Sequence, residues 1–330
     1  MTGFPRISLT LSLLVPTGAS SQPRNVEALY AAGVEALQRG QPYEALEALN
    51  SVAAVNPSYR DVQILLGQSC LLAGLTRLAK RHFEQALAAD PRNGQAAVFL
   101  GLMLYQEARY FEAVEALDRA HSLAPGNPYP LIYRGRSFLK LGRAKEARVD
   151  VEAALARSPS DPTARAALAE IELGEGHFEK AEELLRSVLE DEPQDFEART
   201  LLARVLFQAG RPAEAVPLLR AVLETIPDRT DLLYLMAQAL LRSGDTEAGR
   251  ATLDRFKELS AQEERIRVLE AKVNTDADDI ESRIQLVRLL LEQGQGDLAL
   301  PHLAVLQEVL PTDPRVHALG EQLERLRNRQ

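Results

Sequence analysis

Residues 60–91 read RDVQILLGQSCLLAGLTRLAKRHFEQALAADP. Apolar residues recur at helical spacing on both sides of Gly74, so the stretch predicts two antiparallel helices joined at that glycine. Leu66 and Gly67 belong to the first helix, and Ala79, Phe83 and Ala86 to the second. Pro91 closes the segment, because proline cannot continue a helix. The same skeleton returns every 34 residues. A fixed period of that length identifies an array of one supersecondary unit, stacked so that neighbours bury each other's apolar faces.

Seven units start at Val26, Arg60, Gly94, Pro128, Pro162, Phe196 and Thr230 without insertion or deletion. Position 8 of each is Gly33, Gly67, Gly101, Gly135, Ala169, Ala203 or Ala237. Position 20 is Ala45, Ala79, Ala113, Ala147, Ala181, Ala215 or Gly249. Small residues at both places let the two helices of a pair approach closely. Position 15 is Gly40, Gly74, Gly142, Gly176, Gly210 or Gly244, except for Ala108 in the third unit. A glycine there ends the first helix in a left-handed residue, so a less tight turn is expected at Ala108. Position 24 (Leu49, Phe83, Leu117, Val151, Leu185, Leu219, Leu253) and position 27 (Val52, Ala86, Ala120, Ala154, Val188, Val222, Phe256) share one face of the second helix and are expected to form the core. Prolines at position 32, from Pro57 to Pro227, set the connection to the next unit; Ala261 stands there in the seventh.

This skeleton resembles the tetratricopeptide repeat family over Val26 to about Ser260, with a further unit beyond. A first-helix Trp typical of many members is absent, and Arg134 replaces the usual Leu at position 7. The resemblance implies an all-α, right-handed superhelical solenoid of antiparallel helix pairs, whose first helices line a concave groove. It also implies a protein-binding role.

Beyond the seven repeats at 26–263 the period slips. Ser260 and Glu263 have the spacing of a capping box that opens a new helix through Val273; alternatively the preceding helix runs straight on. Residues 264–279 are therefore an extra helical segment and turn. An eighth repeat spans 280–311, with Gly294, Ala299, Leu303, Leu306 and Pro311 in register and Val287 at the small-residue position, where looser packing is expected. Residues 312–330 predict a C-terminal capping helix, with Val316, Leu319, Leu323 and Leu326 on one face. Residues 1–25 lie outside the repeat. ISLTLSLLV, Pro16 and TGASS have the layout of a short signal peptide cut after Ala19, and equally of a disordered leader or an apolar strap. The protein is exported to the periplasm in the first case and cytoplasmic otherwise.

The chain has 47 acidic and 38 basic residues for a net charge of -9, with the two signs interspersed. That gives no basic face for nucleic acid or an anionic membrane, and no run besides the leader is apolar enough to approach a membrane span. One cysteine, Cys70, excludes an intramolecular disulfide and reads as a buried thiol. The five histidines lack metal-ligand spacing along any helix, and Gly294–Gly296 follows no strand, so no metal, cofactor or catalytic residue is expected.

By the resemblance, positions 2, 5, 9, 12 and 13 face the groove. The residues singled out there are Ile64, Gln68, Val98, Leu102, Tyr105, Ile132, Arg136, Glu170, Arg204, Phe207, Tyr234 and Gln238. Most are apolar, and Arg136, Glu170 and Arg204 form a polar band. Such a surface suits a protein or peptide segment with apolar side chains; the competing reading of position 12 is plain packing between first helices. The Lys at position 5 and Asn at position 9 with which chaperone-binding members grip a C-terminal carboxylate are missing, so no EEVD-type tail is expected to bind. The sequence thus reads as a non-enzymatic scaffold, with an accessory subunit of a cell-envelope assembly, secretion or enzyme complex as the alternative.

Overall fold

The computed structural model describes residues 23–327, so the leader through residue 22 and the last three residues lie outside it. The described residues form seventeen α-helices and no strand. The described residues divide into two compact units, the first ending at Leu201 and the second beginning at Leu202. None of the described helices is long and apolar enough to cross a membrane.

In the first unit α1 (Pro23–Gln38) pairs with α2 (Pro42–Val55), α3 (Val62–Leu72) with α4 (Thr76–Ala89), and α5 (Gly94–Gln106) with α6 (Tyr110–Leu123). The next pairs are α7 (Tyr129–Lys140) with α8 (Ala144–Arg157) and α9 (Pro162–Gly174) with α10 (Phe178–Asp191). Second helices also pack on the first helix that follows, so one layer of core is shared between successive pairs. The reason for the small residues is visible at Gly67. A Cβ there would lie 2.5 Å from the ring of Phe83, which is fully buried and stacks on Phe99 at 4.6 Å between centroids. Position 20 alanines and position 24 side chains from Leu49 to Leu185 are all fully buried.

The turn at Ala108 differs from expectation. Ala108 has φ 57° and its N–H donates to Tyr105 O at 3.0 Å, the same closure that Gly74 makes with φ 75° and a bond to Leu71 O at 3.1 Å. The turn is as tight as its neighbours, and the alanine carries the strain. A left-handed alanine costs about 1–2 kcal/mol, and glycine returns about 0.4–1 kcal/mol of that through a looser unfolded chain. Ala108→Gly should therefore stabilise the first unit by a few tenths to about 1 kcal/mol, read as a higher urea midpoint. Arg60 is the other non-glycine with positive φ, at 47°. Its guanidinium lies over the rings of Tyr30 and Tyr59 at 5.2 and 5.4 Å and pairs with Glu27 at 3.0 Å, contacts that hold the strained residue in place.

Arg134, the departure at position 7, has a structural partner. It donates to both carboxylate oxygens of Asp150 on α8 at 2.7 Å and also reaches Asp118 on α6. Asp150 is itself buried, so a two-pronged ion pair replaces the apolar contact that a leucine would make.

The boundary between the units falls inside α11 (Phe196–Gln208). The second unit continues with α12 (Pro212–Thr225), α13 (Thr230–Ser243) and α14 (Thr246–Thr275). It ends with α15 (Ile280–Glu292), α16 (Gly296–Val309) and α17 (Pro314–Arg327). α14 is one unbroken helix of 30 residues, so Ser260 opens no new helix. Its first half packs on α13 and its second half buries Ile266, Leu269 and Val273 against α15. Residues Ala261–Arg265 between the two halves are all exposed. Because α14 runs on, Leu253 and Phe256 are only half-buried, in contrast to their counterparts in the first unit. Val287 is fully buried in a cluster with Leu303 and Leu306, so the larger side chain fills the core there instead of loosening it. α17 adds Val316, Leu319 and Leu323 to the same cluster.

Candidate binding groove

First helices are the elements that carry the residues singled out from the sequence, and the structure sorts those residues by depth. Ile64, Val98, Leu102 and Ile132 are buried in the core of the first unit, where no partner reaches them. Their place in the list came from repeat position, which fixes direction along a helix but not depth. Gln68 and Tyr105 are half-buried and face solvent in part. In the second unit Phe207 is buried, Arg204 and Gln238 are half-buried, and Tyr234 is 45% exposed.

The polar band is richer than the sequence reading. Arg136 on α7 is only 3% exposed. Its Nε lies 3.6 Å from Glu170 on α9, and its Nη2 donates to Glu197 on α11. The ring of Tyr133 lies 5.7 Å from its guanidinium carbon. Burial works against the charge, but the Glu197 and Glu170 carboxylates outweigh it and hold the guanidinium protonated. Lys140 closes the network by donating to Glu170 at 2.7 Å. Tyr105 packs edge-on to Tyr133 at 5.4 Å and tilted to Tyr110 at 5.7 Å, and its burial pushes the phenol up to about 12. Glu197 and Lys140 are the members the sequence reading missed. They stand at positions 2 and 13, both assigned to the groove, and reading those columns alongside 5, 9 and 12 finds them.

A second polar cluster lies at the turn between α9 and α10. His177 Nδ1 is 2.7 Å from Glu172 and 3.5 Å from Glu175, and single ligand atoms of the three residues lie within 4.8 Å of one another. Helical spacing does not show this group, because it straddles a helix end and a turn. Arg148 on α8 donates to Glu172 at 2.8 Å and to Glu175 at 2.7 Å, so the guanidinium already bridges both carboxylates. Burial would raise the Glu172 carboxyl, but the hydrogen bonds from Arg148 and His177 outweigh it and hold it below the usual range. A cation there would have to displace Arg148. Cys70 is buried, and burial pushes its thiol up, away from the thiolate that a nucleophile needs.

Helix pairs of constant length, a glycine or left-handed turn inside each pair and fully buried position 20 alanines define a class of helical-repeat protein. Models of the tetratricopeptide repeat match residues 30–76, 73–128, 138–205 and 206–273. The chain belongs to the tetratricopeptide repeat family. A tetratricopeptide repeat protein from Parabacteroides merdae is similar in structure, with TM-score 0.53 and 18% identity over 72% of this chain and 93% of that one. Human IFIT1, solved as a dimer with PPP-AAAA, gives TM-score 0.57 and 15% identity over 88% and 85%. The Cut9–Hcn1 hetero-tetramer of the APC/C gives TM-score 0.56 and 15% identity over 90% and 55%. These likenesses concern the fold. No curated protein sequence matches the chain significantly.

Proposed function

We propose that this protein is a non-enzymatic scaffold whose first helices bind protein or peptide segments. The family fold is consistent with a protein-interaction scaffold, and members of this family are generally non-catalytic. The observation that carries the reading is the exposure of large apolar side chains on α13. Tyr234 and Leu241 are seven residues apart on one helix face and are 45% and 38% exposed. Each packs on α14 with one side, Tyr234 tilted on the ring of Phe256 at 5.1 Å and Leu241 over Gly249, and a partner's apolar side chains would gain by covering the sides left open.

The test is crosslinking in the native cell followed by mass spectrometry, with the wild type and Tyr234→Ala compared. Loss of the aromatic anchor should weaken capture of the main partner by more than about 1 kcal/mol, or roughly fivefold. The substitution also removes the ring contact with Phe256 and should cost about 0.5–1.5 kcal/mol of stability, so capture is compared at a temperature where both proteins are folded. Equal capture by both proteins counts against the anchor, and an absence of any captured protein counts against the scaffold itself.

A further inference from the structure

We propose that Tyr30 and Tyr59 form an aromatic box for a guanidinium, plugged by the chain's own Arg60 and taken over by an arginine side chain of a partner protein. The box lies where the first two helix pairs join, apart from the apolar face of α13. It rests on the scaffold reading only in that its guest arrives on a protein.

The repeat departs from its own rule at this junction. Asn93, Asp161, Asp195 and Asp279 stand immediately before α5, α9, α11 and α15. Each side chain accepts the N–H of the third helical residue, at 2.8 to 3.0 Å. Before the second unit that place is taken by Tyr59, which has no such acceptor to offer. The helix α3 starts at Val62, two residues later in the repeat than α5 does. Asp61 precedes it but makes no capping bond, and its carboxylate accepts from the Tyr30 phenol instead. Arg60 between them is left-handed, with φ 47°. A cap and a relaxed backbone both favour the folded state, so stability alone does not call for these three residues.

Together they close a corner. The rings of Tyr30 on α1 and Tyr59 meet edge to face, 5.5 Å apart and 68° to one another. The Arg60 guanidinium lies over both, at 5.2 and 5.4 Å, and donates to Glu27 at 3.0 Å. Burial, and then the Asp61 carboxylate, push the Tyr30 phenol above its usual range, so the ring stays neutral. Two aromatic faces beside a carboxylate recognise an organic cation. A planar fork that stacks and donates to the carboxylate at once suits the corner better than an ammonium does. Without Arg60 the carboxylates of Glu27 and Asp61 flank the box unneutralised, because among the described residues neither forms another ion pair. The plug itself is lightly held. Its side chain is 40% exposed and it belongs to a connector, not to a helix. Withdrawing the side chain also lets the connector relieve the positive φ. A partner's arginine therefore replaces one guanidinium by another and releases backbone strain.

The experiment uses the full chain and fluorescence anisotropy. The probes are a short labelled peptide of Gly and Ser with one central Arg, and its Lys-for-Arg and Gln-for-Arg counterparts. Arg60→Gly removes the plug, and glycine holds the left-handed turn without strain. Arg60→Asn, which also tolerates that turn, is a second unplugged variant and should behave alike. Both should bind the Arg peptide at least about tenfold more tightly than the wild type does, and at least about tenfold more tightly than they bind the Gln peptide, with the Lys peptide between. Adding Tyr59→Ala or Glu27→Gln to Arg60→Gly should remove most of that preference while the Gln peptide's affinity stays unchanged. Equal binding of the Arg peptide to the wild type and both unplugged variants overturns the inference and leaves Arg60 a packing residue. Equal binding of Arg and Gln peptides, or of Arg and Lys peptides, overturns it too, as does a preference that survives both added substitutions. Partners captured in the cell while the Arg peptide shows no preference leave the scaffold reading standing and remove this one alone.

Discussion

Phe83→Ala should lower the stability of the first unit by about 3–5 kcal/mol, the range for removing a fully buried aromatic ring. Phe83 sits on α4 between Gly67 of α3 and Phe99 of α5, so its ring serves two helix pairs at once. Truncation removes the stacking and opens a cavity that Gly67, having no side chain, cannot fill. The measurement is the urea midpoint of the full chain together with amide exchange in α3–α5, because a repeat array need not unfold in one step. Loss of protection should concentrate in those helices. A double-mutant cycle sharpens the point. Gly67→Ala alone places a Cβ 2.5 Å from the Phe83 ring and should cost about 1–3 kcal/mol through overpacking. In the Phe83→Ala background the same methyl enters a void and should be close to neutral or favourable. Additive costs would refute the account of why position 8 is small.

Arg136→Met should cost about 3 kcal/mol, the lower end of the range for breaking a buried ion pair. The lower end applies because Glu197 is 60% exposed and Glu170 keeps Lys140. The mechanism is not the loss of an attraction alone. Two carboxylates that shared one guanidinium are left facing each other, and the more buried of them, Glu170, loses part of its compensation. Glu170→Gln added to Arg136→Met should recover a large part of the loss, because the remaining group is neutral. Chemical denaturation of the single and double variants checks this. If the double variant is no more stable than the single one, Arg136 acts mainly through its packing against Tyr133.

The repeat was legible because its cause is local. Glycine ends a helix and proline blocks one whatever surrounds them, and small residues recur wherever two backbones meet. Ala108 shows the limit of that logic. Local preference argues against a left-handed alanine, but neighbouring pairs held at a fixed spacing impose the turn. Arg134 and Asp150 lie sixteen residues apart on different helices, and their bond exists only once α7 and α8 are packed. Leu253 and Phe256 keep the repeat's apolar pattern while α14 runs on past the place where the next pair would cover them. In the groove, register named the face but not the depth. Ile64, Val98, Leu102 and Ile132 went into the core.

The exposed middle of α14 has one further consequence. A helix of 30 residues is about 45 Å long, and each residue turns it by about 100°. The residues after Arg265 meet α15 on a face whose azimuth is set by how many residues precede them, not by which ones. Ala261–Arg265 buries no side chain and reaches other helices through exposed polar contacts, Gln262 accepting from Gln293 and Glu263 from Thr230, so its composition is loosely constrained, yet its length works like the indexing of a crankshaft. Adding or deleting one residue there would keep the apolar contacts on each half of the helix and still swing the terminal helices a quarter turn out of phase.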